Sequence, residues 1–354
     1  MDNYQNPTWT RYIVSVGPAS LNEEVQEGLI KAGANIFRSN FAHAQYEEFS
    51  TRQEVVFRLN KKLGTNVQIQ ADLQGPNIRV GAMPPDGVPL QAGQEYVFFT
   101  AASERQPKEG DLFINDLTLH QDIKPGEPIT FMDGALEGEV TAVNGSEITV
   151  KMINSAALLS HKSVNVPETK LSSAALTEKD YRDLDYLLKT DVSWIAVSFI
   201  ADRQPLDEVR RIIGKRPIQI ISKIERLAAL KNIDGIIDAS DAVMIARGDL
   251  GIELPMEEVP IIQRELINRC HYAGKPVITA TQMLYSMMKS RRPTRAEVSD
   301  VAGAVFLGSD AVMLSEETQV GVDPVNALST MVRIARRVEE YTYKRPNGFS
   351  RYQD

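Results

Sequence analysis

The sequence predicts an α/β protein, a (β/α)8 TIM barrel with an inserted small β-barrel-like lid domain. Three observations predict it. Short apolar runs that end in polar or charged residues occur eight times, each followed by an amphipathic helical pattern. The runs are rich in β-branched residues and barely alternate, as strands of a parallel sheet buried on both faces do, and eight strands close a small barrel. After the third run the character changes: residues 80–166 hold short alternating segments punctuated by turn signals.

In chain order, the strand candidates are YIVSVG (12–17), NIFRSNF (35–41), VQIQADL (67–73), WIAVSFI (194–200), IQIISKI (218–224), AVMIARGD (242–249), VITATQ (277–282) and AVMLSEE (311–317). Helical patterns fill the gaps, among them TEKDYRDLDYLLKT, RLAALKNIDGIIDA and the last, PVNALSTMVRIARRVEEYTYK. Gly33, Gly274 and Gly308 stand where helices would stop, just ahead of the next strand. PTRAE sets Thr294 as an N-cap with Glu297 three residues on, a capping box. In the insertion, EYVFFT, PITFM, EGEVTAV and SEITVKMI separated by PPDG, KPGE, MDG and VNGS read as a small antiparallel β domain. The expected organisation is residues 1–79 and 167–354 for the barrel and 80–166 for the lid. An insertion after strand three would overhang the face where a barrel keeps its chemistry. Counting alone leaves open a second architecture, two side-by-side α/β domains with an open sheet.

Composition bounds the function. The 354 residues are 43% apolar and 24% charged, ordinary globular usage. Lys plus Arg number 39 against 47 Asp plus Glu, a net charge of −8 that argues against a nucleic-acid-binding surface. Cys270 is the single cysteine, so no intramolecular disulfide forms, and within an apolar helix it reads as core. With no charged leader before an apolar stretch and no run long enough to span a bilayer, no membrane role is expected and the cytoplasm is the expected compartment. Phosphate loops of the GxxxxGK[ST] or GxGxxG type are absent.

The strand ends carry the chemistry. An ionised group over a hydrophobic core is expensive to leave unpaired, yet Arg38, Asp72, Lys223, Glu225, Asp249 and Glu317 fall at strand ends, with Thr281 and Ser315 adding hydroxyls. One such residue would be an ion pair or a cap; six converging on one face indicate a catalytic face. Glu225 and Asp249 follow consecutive strands and suit a shared hard cation, Mg2+ or Mn2+, with water and substrate oxygens completing the shell. The competing structural reading pairs them with Arg226 or Arg247. Lys223, two residues before Glu225, shares its face. A cation beside a metal implies an anion between them, a phosphoryl group or enolate oxygen, with Arg38 and Arg79 as further clamps. His43 follows a strand within reach of a phosphate, but a lone histidine is more often a satisfied structural one. Arg291, Arg292 and Arg295 form a basic loop that reads as solvated or helix-capping.

Several of these stretches match one family. IISKIE (220–225), ARGDLGIE (246–253), GKPVITATQML (274–284), RRPTRAEVSDVA (291–302), AVMLSEET (311–318), GPAS (17–20) and DLQGPNIRVG (72–81) resemble pyruvate kinase, over about residues 10–340. The resemblance implies a (β/α)8 domain with a β-rich domain closing over phosphoenolpyruvate and Mg-ADP, products pyruvate and ATP. It implies that Lys223 stabilises the transferring phosphoryl group and enolate, that Glu225 and Asp249 hold the divalent ion, and that Arg38 contacts phosphate. Thr281 would belong to proton delivery, with Ser315 and Glu317 in the relay. Gly248 and Arg79 would join the substrate site, and Pro18, Asn40, His43, Asp133 and Lys162 the nucleotide site. Asn40, Asp72 and the Leu73 carbonyl would frame a monovalent-cation site.

Departures accompany the match. RSNFAHA places Ala42 where a hydroxyl ligand of the monovalent ion is usual, and Asn77 stands where potassium-requiring relatives carry Glu and potassium-independent ones Lys, leaving K+ dependence open. Glu316 replaces a small residue beside the relay. The eighth helix is followed by about ten polar residues where most relatives continue into a C-terminal α/β domain, so sugar-phosphate regulation of the usual kind is expected to be missing. A homo-oligomer through barrel faces is compatible with this. Two alternatives stand beside phosphoryl transfer to ADP: a paralogue using another acceptor or an enolate reaction such as oxaloacetate decarboxylation, and a catalytically silent scaffold.

Overall fold

In a computed structural model, residues 9–42, 45–172 and 174–343 are described. Eight parallel strands close a barrel among them: Arg11–Ser15, Ile36–Asn40, Gln68–Asp72, Trp194–Val197, Gln219–Ile224, Ala242–Ala246, Val277–Ala280 and Ala311–Leu314. Each pairs with its sequence neighbour in the barrel, and Tyr12 opposite Val312 closes the ring. The eight apolar runs are therefore these strands.

Both faces of each strand are buried, which is why the runs look unalternated, but the faces differ in kind. One set, including Val14, Phe37, Ile195, Ile220, Ile245 and Leu314, packs outward against the helices. The other fills the barrel: Ile13, Ile36, Ala196, Ile221, Ala242, Ile278 and Ala311 form its apolar interior. Continuing those inward positions upward by two reaches Ser15, Arg38, Ser198 and Lys223. The alternation rule thus delivers charge to one end of an apolar column.

Helices form much as the periodicity predicts, with two corrections. The RLAALKNIDGIIDA pattern breaks at Asn232 into Leu227–Lys231 and Ile233–Ala239. The run AVMIARGD is a strand only to Ala246; Arg247–Glu253 turns into a helix. Pairing with the next strand ends at Ala246 opposite Ala280, and the Arg247 guanidinium is pulled aside by the Asp300 carboxylate at 2.6 and 2.7 Å. The capping box forms: Thr294 Oγ1 accepts from the Glu297 N–H at 3.2 Å, while Glu297 accepts from the Thr294 N–H at 2.7 Å. The basic loop gives one weak pair, Arg291 with Asp323 at 3.7 Å.

Between the third and fourth barrel strands the chain builds a six-stranded sheet, in the order Val164–Asn165, Pro128–Phe131, Leu136–Asn144, Glu147–Met152, Glu95–Thr100, Phe113–Ile114. It is antiparallel except for the last pair, which runs parallel. Its two edges are bridged by consecutive residues, Arg79 to Ser163 and Val80 to Ile114, which gives it a barrel-like closure. A two-stranded ribbon, Val88–Leu90 with Ala156–Leu158, sits beside it. Phe98, Ile129, Phe131, Leu136 and Val150 belong to a core of its own. The tip of this unit reaches the barrel: at Gly134, φ +85°, an added Cβ would lie 3.7 Å from an Ile252 methyl.

Candidate functional site

The site is assembled from inward positions at the C-terminal ends of the strands. Arg38 is buried, its Nε donating to Asp72 Oδ2 at 2.8 Å and an Nη to Ser15 Oγ at 2.9 Å. Asp72 Oδ1 accepts from Gln70 Nε2 at 2.7 Å. Lys223 Nζ donates to Ser198 Oγ at 3.0 Å, lies 3.8 Å from Asp72 Oδ2 and 2.5 Å from Glu225 Oε1. Burial works to lower the Lys223 pKa, but Glu225 and Asp72 outweigh it and the net shift is upward, so the ammonium stays charged.

Glu225 Oε2 accepts from the Phe199 N–H at 2.6 Å. Oε1 is buried and has no hydrogen bond; its contact with Lys223 is an ion contact without hydrogen-bond geometry. Asp249 faces Glu225: burial, then the Glu225 charge, push its carboxyl up to about 7. Two facing carboxylates with an orphan oxygen are a donor set that a hard divalent cation fits, and they favour one strongly over water alone. No group of three or more His, Cys, Asp or Glu residues that could hold a metal occurs among the described residues, so other oxygens must complete such a shell.

The loops around this cluster are strained. Phe199, Thr281 and Gln282 have φ of 54°, 69° and 54°, a left-handed backbone that costs about 1–3 kcal/mol each for residues with a Cβ and concentrates at functional sites. Thr281 Oγ1 accepts from the Gly248 N–H at 2.7 Å and donates to the Ala280 carbonyl at 2.7 Å. Gly75 needs its conformation too: φ is +67°, and a Cβ would come within 2.9 Å of the Ser198 carbonyl.

A cavity of about 310 Å3 unites Arg38, Asn40, Leu73, Arg79, Lys223, Glu225, Asp249, Thr281 and Ser315. A second, of about 780 Å3, adjoins it through Asp249, Thr281 and Glu316 and is roofed by Asp133. Arg79 donates to the His161 carbonyl at 2.7 Å, and Asp133 accepts from Ser163 Oγ at 2.6 Å. Lys162 is part-buried, its carbonyl accepting from Val80, and Pro18 is exposed on the turn after the first strand. His43 lies outside the described residues.

Three placements differ from a simple strand-end picture. Asp249 projects from the short helix Arg247–Glu253 rather than from a strand. Glu317 does not line the catalytic cavity: it is fully buried, its oxygens accepting from the N–H groups of Ser315 at 2.8 Å and Leu284 at 3.0 Å, and burial raises its pKa despite those bonds. The exposed Glu316 lines both cavities instead. Arg247, the competing ion-pair partner for Asp249, is engaged by Asp300, and Arg226 sits 3.8 Å from Glu253. Sequence reasoning missed Ser198 and Gln70, although a polar residue within an apolar run signals both, and Gln70 also stands two positions from the charged Asp72; the Phe199 N–H left no signal.

A family model described as "Pyruvate kinase, barrel domain" matches residues 8–328. A pyruvate kinase of Clostridium acetobutylicum is 40% identical over 341 residues, 93% of this chain and 70% of that protein. One from Bacillus licheniformis is 42% identical over 338 residues, 94% of this chain and 57% of the relative. A crystal structure of a pyruvate kinase from Cryptosporidium parvum superposes with a TM-score of 0.88 at 35% identity, covering 94% of this chain and 69% of that one. With its barrel, inserted sheet and charged strand ends, this chain belongs to the pyruvate kinase family.

Proposed function

We propose that this chain transfers the phosphoryl group of phosphoenolpyruvate to ADP, giving pyruvate and ATP. The observation that carries the reading is the buried Lys223 ammonium set between Asp72 and Glu225, with Asp249 facing Glu225 across the same cavity. Glu225 and Asp249 would hold Mg2+ or Mn2+. Bound there, the ion would neutralise charge on the enolate and phosphoryl oxygens.

Phosphoryl transfer needs positioning and charge neutralisation more than covalent help from the protein. Arg38 and Lys223, fixed on adjacent sides of Asp72, orient the donor's phosphoryl group, and Arg79 and Gly248 line its surroundings. The phosphorus–oxygen bond to the donor breaks as one to a β-phosphate oxygen of ADP forms, and Lys223 holds the negative charge left on the enolate oxygen. The enolate carbon then takes a proton, with the Thr281 hydroxyl and Ser315 lining the route. Glu317 acts through Ser315, whose N–H it pins. Pro18, Asn40, Asp133 and Lys162 are assigned to the nucleotide, and residues 80–166 to the lid. For a monovalent ion, Asn40 Oδ1, Asp72 and the Leu73 carbonyl each already accept a protein hydrogen bond. Activity with and without K+ therefore belongs in the first assay.

That assay follows pyruvate with a coupled dehydrogenase. ADP-dependent turnover with Mg2+ or Mn2+ is expected; none with any ion pair, in a folded sample, overturns the reading. A second reading, another phosphoryl acceptor, rests on Glu316, which lines both cavities and adds a negative charge that opposes a polyanionic acceptor. A screen of acceptors decides it, and ADP as best acceptor by far removes it.

A further inference from the structure

We infer that Gln70 is a positioning residue that locks the Asp72 carboxylate so that one of its oxygens serves Arg38 and Lys223 together. This rests on the function proposed above for those two cations.

Gln70 lies within a barrel strand, two residues before Asp72 and on the same inward face, with no exposed surface. Its Nε2 donates to Asp72 Oδ1 at 2.7 Å, and only the nitrogen end of an amide can face a carboxylate in this way. Its Oε1 is buried without a hydrogen-bond partner, a destabilising feature that an apolar side chain at this position would not bring. What the glutamine contributes is therefore the orientation of its neighbour. With Oδ1 held, Oδ2 is directed to Arg38 Nε at 2.8 Å and towards Lys223 Nζ at 3.8 Å. Two buried cations are thus kept side by side, where alone they would repel, and neither is claimed fully by the carboxylate. Released from Gln70, Asp72 is free to turn both oxygens to the cations and compete with an incoming anion for them.

The test compares Gln70→Leu, and Gln70→Met should the first fail to fold, with wild type in binding and turnover. Oxalate affinity is measured by calorimetry with Mn2+ present, and KM and kcat for phosphoenolpyruvate by the coupled assay. The expected result is about tenfold weaker oxalate binding and a KM raised to match, with kcat changed much less. In an Asp72→Asn background the same substitution adds nothing, since the glutamine acts only through that carboxylate. Oxalate affinity and KM unchanged, whatever happens to Tm, overturn the inference, as does a full effect in the Asp72→Asn background. Wild type that binds oxalate but never turns over phosphoenolpyruvate sinks the proposed reaction and leaves the binding comparison to decide the role of Gln70. Wild type that binds no oxalate overturns the inference.

Discussion

The two ends of the barrel interior are built from the same strands and differ in almost everything else. At the lower end Ile13, Ile36, Ile221, Ile278, Ala242 and Ala311 meet as an apolar plug. One or two inward positions higher, Arg38, Asp72, Lys223 and Glu225 are buried as thoroughly, yet all are charged. Buried ions are costly unless paired and hydrogen-bonded. Here pairing is nearly complete: Ser15, Gln70, Ser198 and the Phe199 N–H each satisfy one charged group. Two oxygens without a hydrogen bond, Glu225 Oε1, which is ion-paired with Lys223, and Gln70 Oε1, lie at the charged end. The lesson is a division of labour: the lower layers hold the strands in register, which lets the upper layer carry groups that would not assemble alone.

The comparison can be broken most severely at the top. Lys223→Ala should cost at least about 3 kcal/mol of transition-state stabilisation, by analogy with removal of one oxyanion donor. Circular dichroism must show the fold retained, and an unchanged kcat would refute the role of the ammonium. Glu225→Gln should weaken Mn2+ binding by about tenfold or more, read by titration calorimetry or electron paramagnetic resonance; unaltered uptake would move the metal site elsewhere. A change in the lower layer should do the reverse. Ile221→Val is expected to lose about 1 kcal/mol of stability in denaturant unfolding while KM for phosphoenolpyruvate stays put. A shift in KM would mean that the two ends are coupled more tightly than their packing indicates.

The smallest effect is expected outside the barrel interior. Burial, with a lesser push from Asp310, raises the Cys270 thiol from 9.0 to about 12. The stability linked to its neutral form is complete below pH 9.0 and is lost progressively as pH rises from there to about 12. Iodoacetamide at pH 8 should leave the native chain unlabelled and react once it is unfolded; labelling of the native chain at the rate of a free cysteine would contradict the burial.

Much of this was legible in advance because it is local. Eight β-branched runs, left-handed glycines after helices and the Thr294–Glu297 box follow from short-range sterics and hydrogen bonding. Lys223 and Glu225 share a face because strand residues two apart must. The failures are of another kind. Residues 247–249, the start of the helix Arg247–Glu253, read as the tail of a strand because an apolar run does not reveal where its pairing partner ends. Glu317 read as a group at the active face, but its orientation is settled by the Leu284 N–H, 33 residues away in sequence.

By itself, then, the sequence determined the eight barrel strands, most of the helices between them and the residue types at the strand ends. Those depend on the period of burial and on interactions within a few residues. Only the tertiary structure decided which charged ends meet, which carboxylate oxygen lacks a hydrogen bond, and which of Glu316 and Glu317 lines the cavity. Ring closure brings strands distant in sequence within hydrogen-bonding reach, and the low dielectric of that interior fixes which contacts carry energy.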